Sequence, residues 1–385
     1  MHKKFTVLQV LPALDSGGVE IGTLSMVQAL VEAGHQALVV SAGGQLVTAL
    51  ETLGGLHITL PLTSKNPLII LHNIRKLRKI IATYKVDLVH ARSRAPAWSA
   101  FFACKKEKCP FITTVHGAYK TEGALKKHYN SVMMRGDRII AISEFIERYI
   151  QESYQHFKGV NLQYIKVIHR GVDSKIFDPE VISQARTQAL ALQWQLPSNT
   201  PLILLPARLS PSKGHIILLK ALAALPHKNF LCLLIGSDQG RLRYRSYLEE
   251  QIIALDLQHK VRIVDYCTDM AAAYKVADMV INPSIVPEAF GRVIVEAQAM
   301  CTPIIASELG APIDLISQGK TGWLFPESNV HKLSQTIQNV LDLDKATKRK
   351  VGLEARNHVV KHYTNTLMCQ KTLELYYQVI EKKQT

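Results

Sequence analysis

Short apolar runs that alternate with helical patterns constrain the fold of this 385-residue chain more than any other feature. In the first half, strand-like runs lie at 5–13, 36–44, 86–93, 110–119, the start of 138–150, and 165–173. A second series follows at 201–209, 229–237, 260–267, 277–284, 302–307 and 322–326. Helical patterns separate the runs at 16–35, 68–84, 212–225, 241–256, 269–276, 291–301 and 329–341. Continuous apolar strands alternating with helices predict a parallel sheet covered on both faces.

Two such series, in a chain too long for one ordinary core, predict an α/β protein with two Rossmann-like, doubly wound domains. The strands pause near 174–200, where Pro179 and Pro197 stand, so we place the domains at 1–173 and 174–365. Ligands of open α/β sheets bind beyond the carboxyl ends of the strands. We therefore expect two sheets that face a deep cleft, with the chemistry in the loops that follow strands.

The net charge of +15, from 46 lysines and arginines against 31 acids, indicates anionic partners. In 68–84, Arg75, Lys76, Arg78 and Lys79 interrupt an amphipathic helical pattern. A second basic group comprises Arg92, Arg94, Lys105, Lys106, Lys108, Lys120, Lys126, Lys127, Arg135 and Arg138. Two interpretations stay open: a solvated surface, or an N-terminal half that faces an anionic membrane or acceptor. We expect no nucleic acid partner, because the basic segments lack a recognition module and interleaved aromatics.

The cysteines and the apolar segments favour a cytoplasmic protein that can attach peripherally to the inner face of the membrane. None of the six cysteines forms a CxxC pair or a zinc-type spacing, so we interpret them as reduced thiols. The first residues lack a signal cleavage site, and no apolar run approaches the roughly 18 residues of a membrane span. The DxD pair of Asp342 and Asp344 follows a helical pattern, so we expect no metal site there.

Candidate ligand-binding residues follow several predicted strands. Gly17 and Gly18 precede a helix and suit a phosphate, although the glycine spacing is not that of a dinucleotide fingerprint. His116 ends a strand at the expected cleft, where a structural or a functional role is equally open. Arg208 and Lys213 flank a turn and can converge on a diphosphate, or remain two exposed cations.

The stretch PEAFGRVIVE, residues 287–296, brackets an apolar run with Glu288 and Glu296. Pro287 and Gly291 predict a loop followed by a helix that begins near 291, which puts Glu288 in the loop and Glu296 in the helix. Carboxylates accept strong hydrogen bonds from hydroxyls. The backbone N–H groups of Phe290, Gly291, Arg292 and Val293 form a helix N-terminus, which favours anions. The stretch therefore predicts two hydroxyl-binding carboxylates with a phosphate site between them.

These motifs together resemble those of the retaining GT-B glycosyltransferases of family 4. The E-x7-E element from Glu288 to Glu296 is its most specific mark, and Arg208 with Lys213-Gly214 matches its basic pair. His116, Gly17-Gly18, and the segments 141–143, 171–173 and 321–326 follow in the order of the family. The resemblance covers nearly the whole chain.

The resemblance implies a nucleotide-sugar donor (UDP-, GDP- or ADP-linked), a glycan or glycolipid acceptor of the cell envelope such as lipopolysaccharide core, and no metal. It implies that Glu296 holds the ribose hydroxyls, Glu288 the sugar hydroxyls, and Arg208 and Lys213 the diphosphate. Gly17 and Gly18 would close over the diphosphate, and His116 would lie near the reacting sugar. The helix 366–385 would pack back on the N-terminal, acceptor-binding domain.

Two positions depart from the pattern of the family. Arg170 stands where relatives usually carry asparagine, and Gly236-Ser237-Asp238 replaces a second close glycine. Neither Arg170 nor Asp238 therefore receives a role from the resemblance. A nucleotide-sugar epimerase on the same scaffold is the alternative function, although the E-x7-E spacing and the basic N-terminal half argue against it.

Overall fold

A computed structural model describes residues 4–15, 17–64, 66–119, 123–160, 162–226 and 229–384. The chain divides into two compact units, Met1–Arg170 with Asn365–Thr385, and Gly171–Thr364. We call them the N-terminal unit and the C-terminal unit. The first stretch of the N-terminal unit ends at Arg170, three residues before the boundary placed at 173. Of the basic residues named above, Lys120 lies outside the described residues.

The N-terminal unit contains a seven-stranded parallel sheet in the order β3-β2-β1-β4-β5-β6-β7. Its strands are Thr6–Val10 (β1), Gln36–Ser41 (β2), Leu56–Thr59 (β3), Leu88–Ala91 (β4), Phe111–Val115 (β5), Arg138–Ala141 (β6) and Ile165–Val167 (β7). Every residue of β1, β4 and β5 is buried, as expected of strands covered on both faces. The predicted parallel sheet is confirmed for this half.

Seven helices flank this sheet within the described residues. They are Gly18–Glu32 (α1), Val47–Thr52 (α2), Pro67–Thr83 (α3), Arg94–Glu107 (α4), Ala124–Asn130 (α5), Glu144–Tyr154 (α6) and, from the far end of the chain, Asn365–Gln384 (α15). Local capping sets several starts: the Asn66 side chain accepts from Leu68 N before α3, and the Ser143 side chain accepts from Ile146 N before α6. Helix α15 contributes Leu375 and Tyr376 to the core that β1 and α1 share.

The C-terminal unit contains a six-stranded parallel sheet in the order β10-β9-β8-β11-β12-β13. Its strands are Leu202–Pro206 (β8), Leu231–Ile235 (β9), Val261–Val264 (β10), Met279–Asn282 (β11), Ile304–Ser307 (β12) and Trp323–Phe325 (β13). Its helices are Gln184–Gln193 (α7), His215–Ala223 (α8), Leu242–Ala254 (α9), Met270–Val276 (α10), Arg292–Ala299 (α11), Pro312–Leu315 (α12), Val330–Asp342 (α13) and Lys345–His362 (α14).

Sequence reasoning missed α4 and α14, and it also missed three elements whose apolar pattern is weak. Helices α2 and α7 bury one residue each, Leu50 and Leu190, and no residue of β3 is buried. The segment 174–200, near which the domain boundary was placed, includes a helix capped by Ser183. Because these elements lie at the edges, they leave little amphipathic signal to read.

Both sheets reverse their strand order at one point, between β1 and β4 in one unit and between β8 and β11 in the other. In doubly wound folds the crevice at this switch point binds the ligand. Arg92 directly follows β4, Arg208 follows β8 and Glu288 follows β11. In the part of the chain that the structure describes, no helix combines the length and the apolar character of a membrane span.

Candidate functional site

The loops after β8 and β11 approach each other closely at the switch point of the C-terminal unit. Gly214, at φ +70°, ends the short 3-10 turn Pro211–Lys213. A Cβ placed on Gly214 would lie 1.7 Å from the carbonyl oxygen of Pro283. Only glycine therefore allows the loop that carries Lys213 to reach the loop that carries Glu288.

Lys213 and Glu288 form an ion pair, with 2.5 Å between Nζ and Oε1. The Ser284 hydroxyl lies 3.0 Å from the same oxygen and can donate to it, and Ser284 itself is fully buried. Both charged side chains keep partial access to solvent, 21% for Lys213 and 16% for Glu288. Arg208 is more peripheral, and its Nη1 lies 3.4 Å from Oε1 of Gln239. In this structure Lys213 is thus held by a carboxylate.

Glu288 and Glu296 occupy the different settings that the sequence predicts. Helix α11 begins at Arg292, one residue after the predicted start, and Gly291 precedes it at φ +88°. Glu288 lies in the loop, where its backbone pairs with Leu309 and Ala311. Glu296 lies more than one turn inside α11 and is buried.

The carboxylate of Glu296 has a separate partner for each oxygen. Arg292 Nη2 donates to Oε1 at 2.8 Å, and the Tyr274 hydroxyl donates to Oε2 at 2.9 Å. Burial, and then the adjacent Glu296 carboxylate, raise the pKa of Tyr274 well above its usual value. Tyr274 is therefore a permanent donor that fixes the orientation of Glu296, whereas Arg292 is 41% exposed and can exchange its partner for a ligand.

The backbone N–H groups of Phe290, Gly291, Arg292 and Val293 have no hydrogen-bond acceptor among the described residues. The first amides of a helix lack intrahelical partners, and the helix dipole adds partial positive charge there. The arrangement therefore suits an anion between the two glutamates.

In the N-terminal unit, His116 directly follows β5 at the carboxyl edge of the sheet. Its Nδ1 lies 3.4 Å from Nη1 of Arg170, and its buried Nε2 has no hydrogen-bond partner in the described part of the chain. Burial, followed by the charges of Arg170 and Arg92, holds the pKa of His116 well below its usual value. His116 is therefore neutral at neutral pH.

Gly17 and Gly18 lie at the start of α1. Gly17 precedes the helix and Gly18 is its first residue. A Cβ on Gly17 would lie 2.5 Å from Oε2 of Glu20, so a side chain there displaces that carboxylate. The carbonyl of Gly18 accepts a hydrogen bond from Nη2 of Arg170.

One charged residue was misplaced by sequence reasoning. Arg92, interpreted as part of a basic surface, is only 6% exposed. Its position directly after β4 matches that of His116 after β5 and was the available signal. Tyr274 and Ser284 were also missed, because buried helix and loop positions of these types carry no motif of their own.

The DxD pair has structural roles. The carboxylate of Asp344 caps α14 by accepting from Thr347 N at 2.8 Å, and Asp342 accepts from the Gln338 side chain. A search of the described residues finds no group of three or more His, Cys, Asp or Glu that could hold a metal ion.

Two family models match complementary halves of the chain. The model described as Glycosyltransferase Family 4 matches residues 16–175, and the model described as Glycosyl transferases group 1 matches residues 188–358. Together they span both units and contain every candidate site residue named above.

Solved structures and curated proteins similar to this chain include glycosyltransferases. A crystal structure of a glycosyltransferase from Rickettsia africae ESF-5 is 38% identical and covers 98% of this chain and 99% of its own, with a TM-score of 0.91. Anabaena Alr3699/HepE in complex with UDP-glucose is 23% identical, with a TM-score of 0.84 over 97% of this chain and 99% of its own. A D-inositol 3-phosphate glycosyltransferase from Corynebacterium glutamicum is 26% identical over 71% of this chain and 68% of its own length. The chain has the GT-B fold and belongs to the family 4 glycosyltransferases of glycosyl transferases group 1.

Proposed function

We propose that this glycosyltransferase moves a sugar, with retention of configuration and without a metal, from a nucleotide-sugar to a cell-envelope glycan or glycolipid. The observation that carries the proposal is the sequence of groups around the start of α11. The stretch from Glu288 to Glu296 holds three kinds of group in order. They are a loop carboxylate paired with Lys213, four amides without an acceptor among the described residues, and a buried carboxylate. This order matches the sugar, the diphosphate and the ribose of a nucleotide-sugar.

Each proposed role follows from the charge and setting of its residue. Glu296, fixed by Tyr274, accepts from ribose hydroxyls, and Glu288 accepts from hydroxyls of the sugar. Phe290, Gly291, Arg292 and Val293 donate backbone N–H groups to the diphosphate. The relative named above that binds UDP-glucose supports the donor class.

The chemistry requires stabilisation of the leaving diphosphate. Cleavage of the bond between the sugar carbon and the phosphate oxygen leaves negative charge on the diphosphate and positive charge on the carbon. Fixed donors aimed at the developing negative charge lower such a barrier, and the loss of one costs about 3–4 kcal/mol. Lys213, Arg208 and the α11 amides supply these donors, which is the task that a metal performs in other enzymes.

The N-terminal unit, which carries His116, is the proposed acceptor-binding unit. Helix α3 supports a peripheral membrane location, because it exposes Leu68 and Leu71 beside Arg75 and Lys79. We propose that this face lies on the cytoplasmic surface of an anionic membrane, where glycolipid acceptors would be found.

A donor and product assay tests the proposal. The protein is incubated with UDP-, GDP- and ADP-sugars, with and without membrane glycolipid extract, and the products are followed by NMR at the anomeric carbon. We expect transfer that requires the extract and keeps the anomeric configuration of the donor. Conversion of the donor sugar without any acceptor would instead favour an epimerase, and inversion would contradict the retaining outcome.

A further inference from the structure

A cavity of about 470 Å³ lies at the amino edge of the N-terminal sheet, and we call it the amino-edge cavity. Phe111, Arg138 and Tyr164 line it, at the starts of β5 and β6 and directly before β7. The ends of α4 and α15 complete its wall. Its volume falls within the roughly 300–1,000 Å³ of small-molecule sites. Because β5 spans about 13 Å from Phe111 to Val115, the cavity is separate from the carboxyl edge that carries His116.

The lining of the amino-edge cavity is strongly cationic. Its six cations are Lys105, Lys108, Arg135, Arg138, Lys382 and Lys383, and the one acid of the described lining is Asp137. The Asp137 carboxylate accepts from the backbone N–H of Phe111 at 2.8 Å. Glu107, at the end of α4, is paired with Arg78 at 2.6 Å. Both carboxylates therefore already have other partners.

Neutral groups hold the two arginines of the lining in place. Nε of Arg135 donates to the Ser131 hydroxyl at 3.2 Å, and its guanidinium lies 5.9 Å from the ring centre of Trp98. Nη1 of Arg138 donates to a backbone carbonyl at 2.7 Å, and its guanidinium lies 5.1 Å from the ring centre of Tyr164. Neither arginine forms an ion pair with an acid in the part of the chain that the structure describes. Both guanidinium groups are thus oriented without a carboxylate that offsets their charge.

Helix dipoles account for only part of this cluster of cations. Lys105 lies in the last turn of α4 and Lys383 in the last turn of α15, where cations complement the negative end of the dipole. Arg135 and Arg138 belong to neither helix. Because like charges repel one another, the cavity without a ligand depends on solvent and salt to screen them. An anion bound among the cations would relieve this repulsion.

The floor of the cavity is apolar and aromatic. Phe111 and Val379 are buried, and the ring of Phe101 lies 6.0 Å from that of Phe111 between centres. Such a surface favours a ligand that covers it with an apolar or aromatic part. Cations around an apolar floor therefore fit an anionic group that is attached to such a part.

We propose that the amino-edge cavity binds a phosphate ester at a site separate from sugar transfer. The phosphate contacts Arg135 and Arg138, whose guanidinium groups match its oxygens with paired donors, and the lysines add charge. The apolar or aromatic part of the ester packs on Phe101 and Phe111. A lipid headgroup and a soluble nucleotide share this chemistry.

Titration calorimetry with phenyl phosphate tests the site in the full chain. The Lys213→Met variant serves as background, because it weakens anion binding in the C-terminal unit. We expect this background to bind phenyl phosphate, and the addition of Arg138→Gln to weaken the binding about tenfold or more. Lys345→Gln with Lys350→Gln, which removes two exposed cations from α14, should leave the binding unchanged.

A second variant keeps the test valid if Arg138→Gln does not fold. Lys105 and Lys383 are exposed, so Lys105→Gln with Lys383→Gln should keep the fold and weaken binding severalfold. Unchanged affinity in this lysine variant or in a folded Arg138→Gln variant would overturn the proposal, as would a background that does not bind phenyl phosphate.

Further probes identify the ligand class. Inorganic phosphate should bind more weakly than phenyl phosphate, and equal affinities would overturn the part given to Phe101 and Phe111. Tighter binding of dihexanoyl phosphatidate than of AMP assigns the site to a lipid headgroup, and the reverse order assigns it to a nucleotide. Either order supports the site when Arg138→Gln removes the difference. Because these titrations require no sugar transfer, the site and the proposed function succeed or fail separately.

Discussion

The two units share a doubly wound architecture but treat charge at their switch points in opposite ways. In the C-terminal unit Lys213 pairs with Glu288 and Arg292 pairs with Glu296, while Arg208 contacts the neutral side chain of Gln239. In the N-terminal unit Arg92 is buried with only a neutral amide as hydrogen-bond acceptor for its Nε. One switch point holds two internal ion pairs, whereas the other buries a cation beside neutral groups.

This difference in charge pairing changes the energetic cost of each arrangement. An ion pair that keeps partial solvent access costs little, and its members can exchange each other for hydroxyls and phosphates of a ligand. A buried guanidinium without an ion-pair partner is costly, so Arg92 depends on the neutral groups that accept its hydrogen bonds, such as Gln9. The predictions below concern the C-terminal site first, then the basic surface of the N-terminal unit, and last the absence of a metal requirement. They are given in order of decreasing expected effect.

Glu288→Gln should remove the ion pair with Lys213 and lower the rate of sugar transfer more than any other variant proposed here. The amide keeps the shape of the side chain but removes the charge that holds Lys213 and the acceptor strength for sugar hydroxyls. We expect transfer to fall by roughly two to three orders of magnitude, the range seen when a group at a developing charge is lost. The measurement is the initial rate of sugar transfer at saturating donor.

The control for this variant is Glu249→Gln, which removes the surface partner of Arg245 in the same unit. Its rate should equal that of the wild type. Wild-type turnover by a correctly folded Glu288→Gln variant would contradict the role given to the pair.

Tyr274→Phe should weaken donor binding at the C-terminal site. The change deletes one hydroxyl that donates to the Glu296 carboxylate at 2.9 Å. Hydrogen bonds to charged groups contribute about 1.5–3 kcal/mol, so we expect KM for the donor to rise about tenfold with kcat nearly unchanged. Tyr244→Phe, whose hydroxyl lies 3.4 Å from a ring nitrogen of His215, is the matched control.

A double variant that combines Tyr274→Phe with Glu296→Gln shows whether Tyr274 acts through Glu296. If Tyr274 acts by orienting Glu296, the double variant is no weaker than Glu296→Gln alone. Additive losses in the double variant would show that Tyr274 supports the fold and not the carboxylate.

Arg75→Gln with Lys79→Gln should weaken binding to anionic vesicles about tenfold. Each basic residue near such a surface contributes about 1 kcal/mol, and both side chains are exposed on α3. Co-sedimentation with vesicles at low and high salt measures the effect. Lys345→Gln with Lys350→Gln, on α14 of the other unit, should leave retention unchanged. If the wild type binds the vesicles equally at low and high salt, the basic face is a solvated surface and not a membrane contact.

Chelation of divalent metals should have no effect on transfer. In the proposed mechanism, side-chain cations and the amides of α11 neutralise the diphosphate without a metal. Initial rates with EDTA and with added magnesium should therefore agree. A rate that EDTA abolishes and magnesium restores would contradict the metal-independent mechanism.

The sequence predicted those parts of the molecule that repeat a strong pattern. The buried strands, the helix start next to Gly291 and the separate settings of Glu288 and Glu296 follow from apolar runs and capping residues. The ion pair of Lys213 with Glu288 did not, because residues 75 positions apart meet only through strand order and through Gly214.

Burial of charge was equally hard to predict. Arg92 reads as one more basic residue in a basic region, and only its position directly after a predicted strand sets it apart. Its environment is assembled by Gln9 on β1 and Tyr376 on α15, which join it only in the folded unit. Long-range partners of this kind determine the electrostatics of both sites.

Titration calorimetry of UDP, GDP and ADP in the presence of EDTA tests the central claim most directly. The claim is that the C-terminal unit binds a nucleotide through Glu296 and the amides at the start of α11. We predict that at least one nucleotide binds the wild type and the Glu249→Gln control equally, and that Glu296→Gln weakens this binding tenfold or more. Binding that is unchanged in Glu296→Gln, or absent for all three nucleotides, would contradict the account.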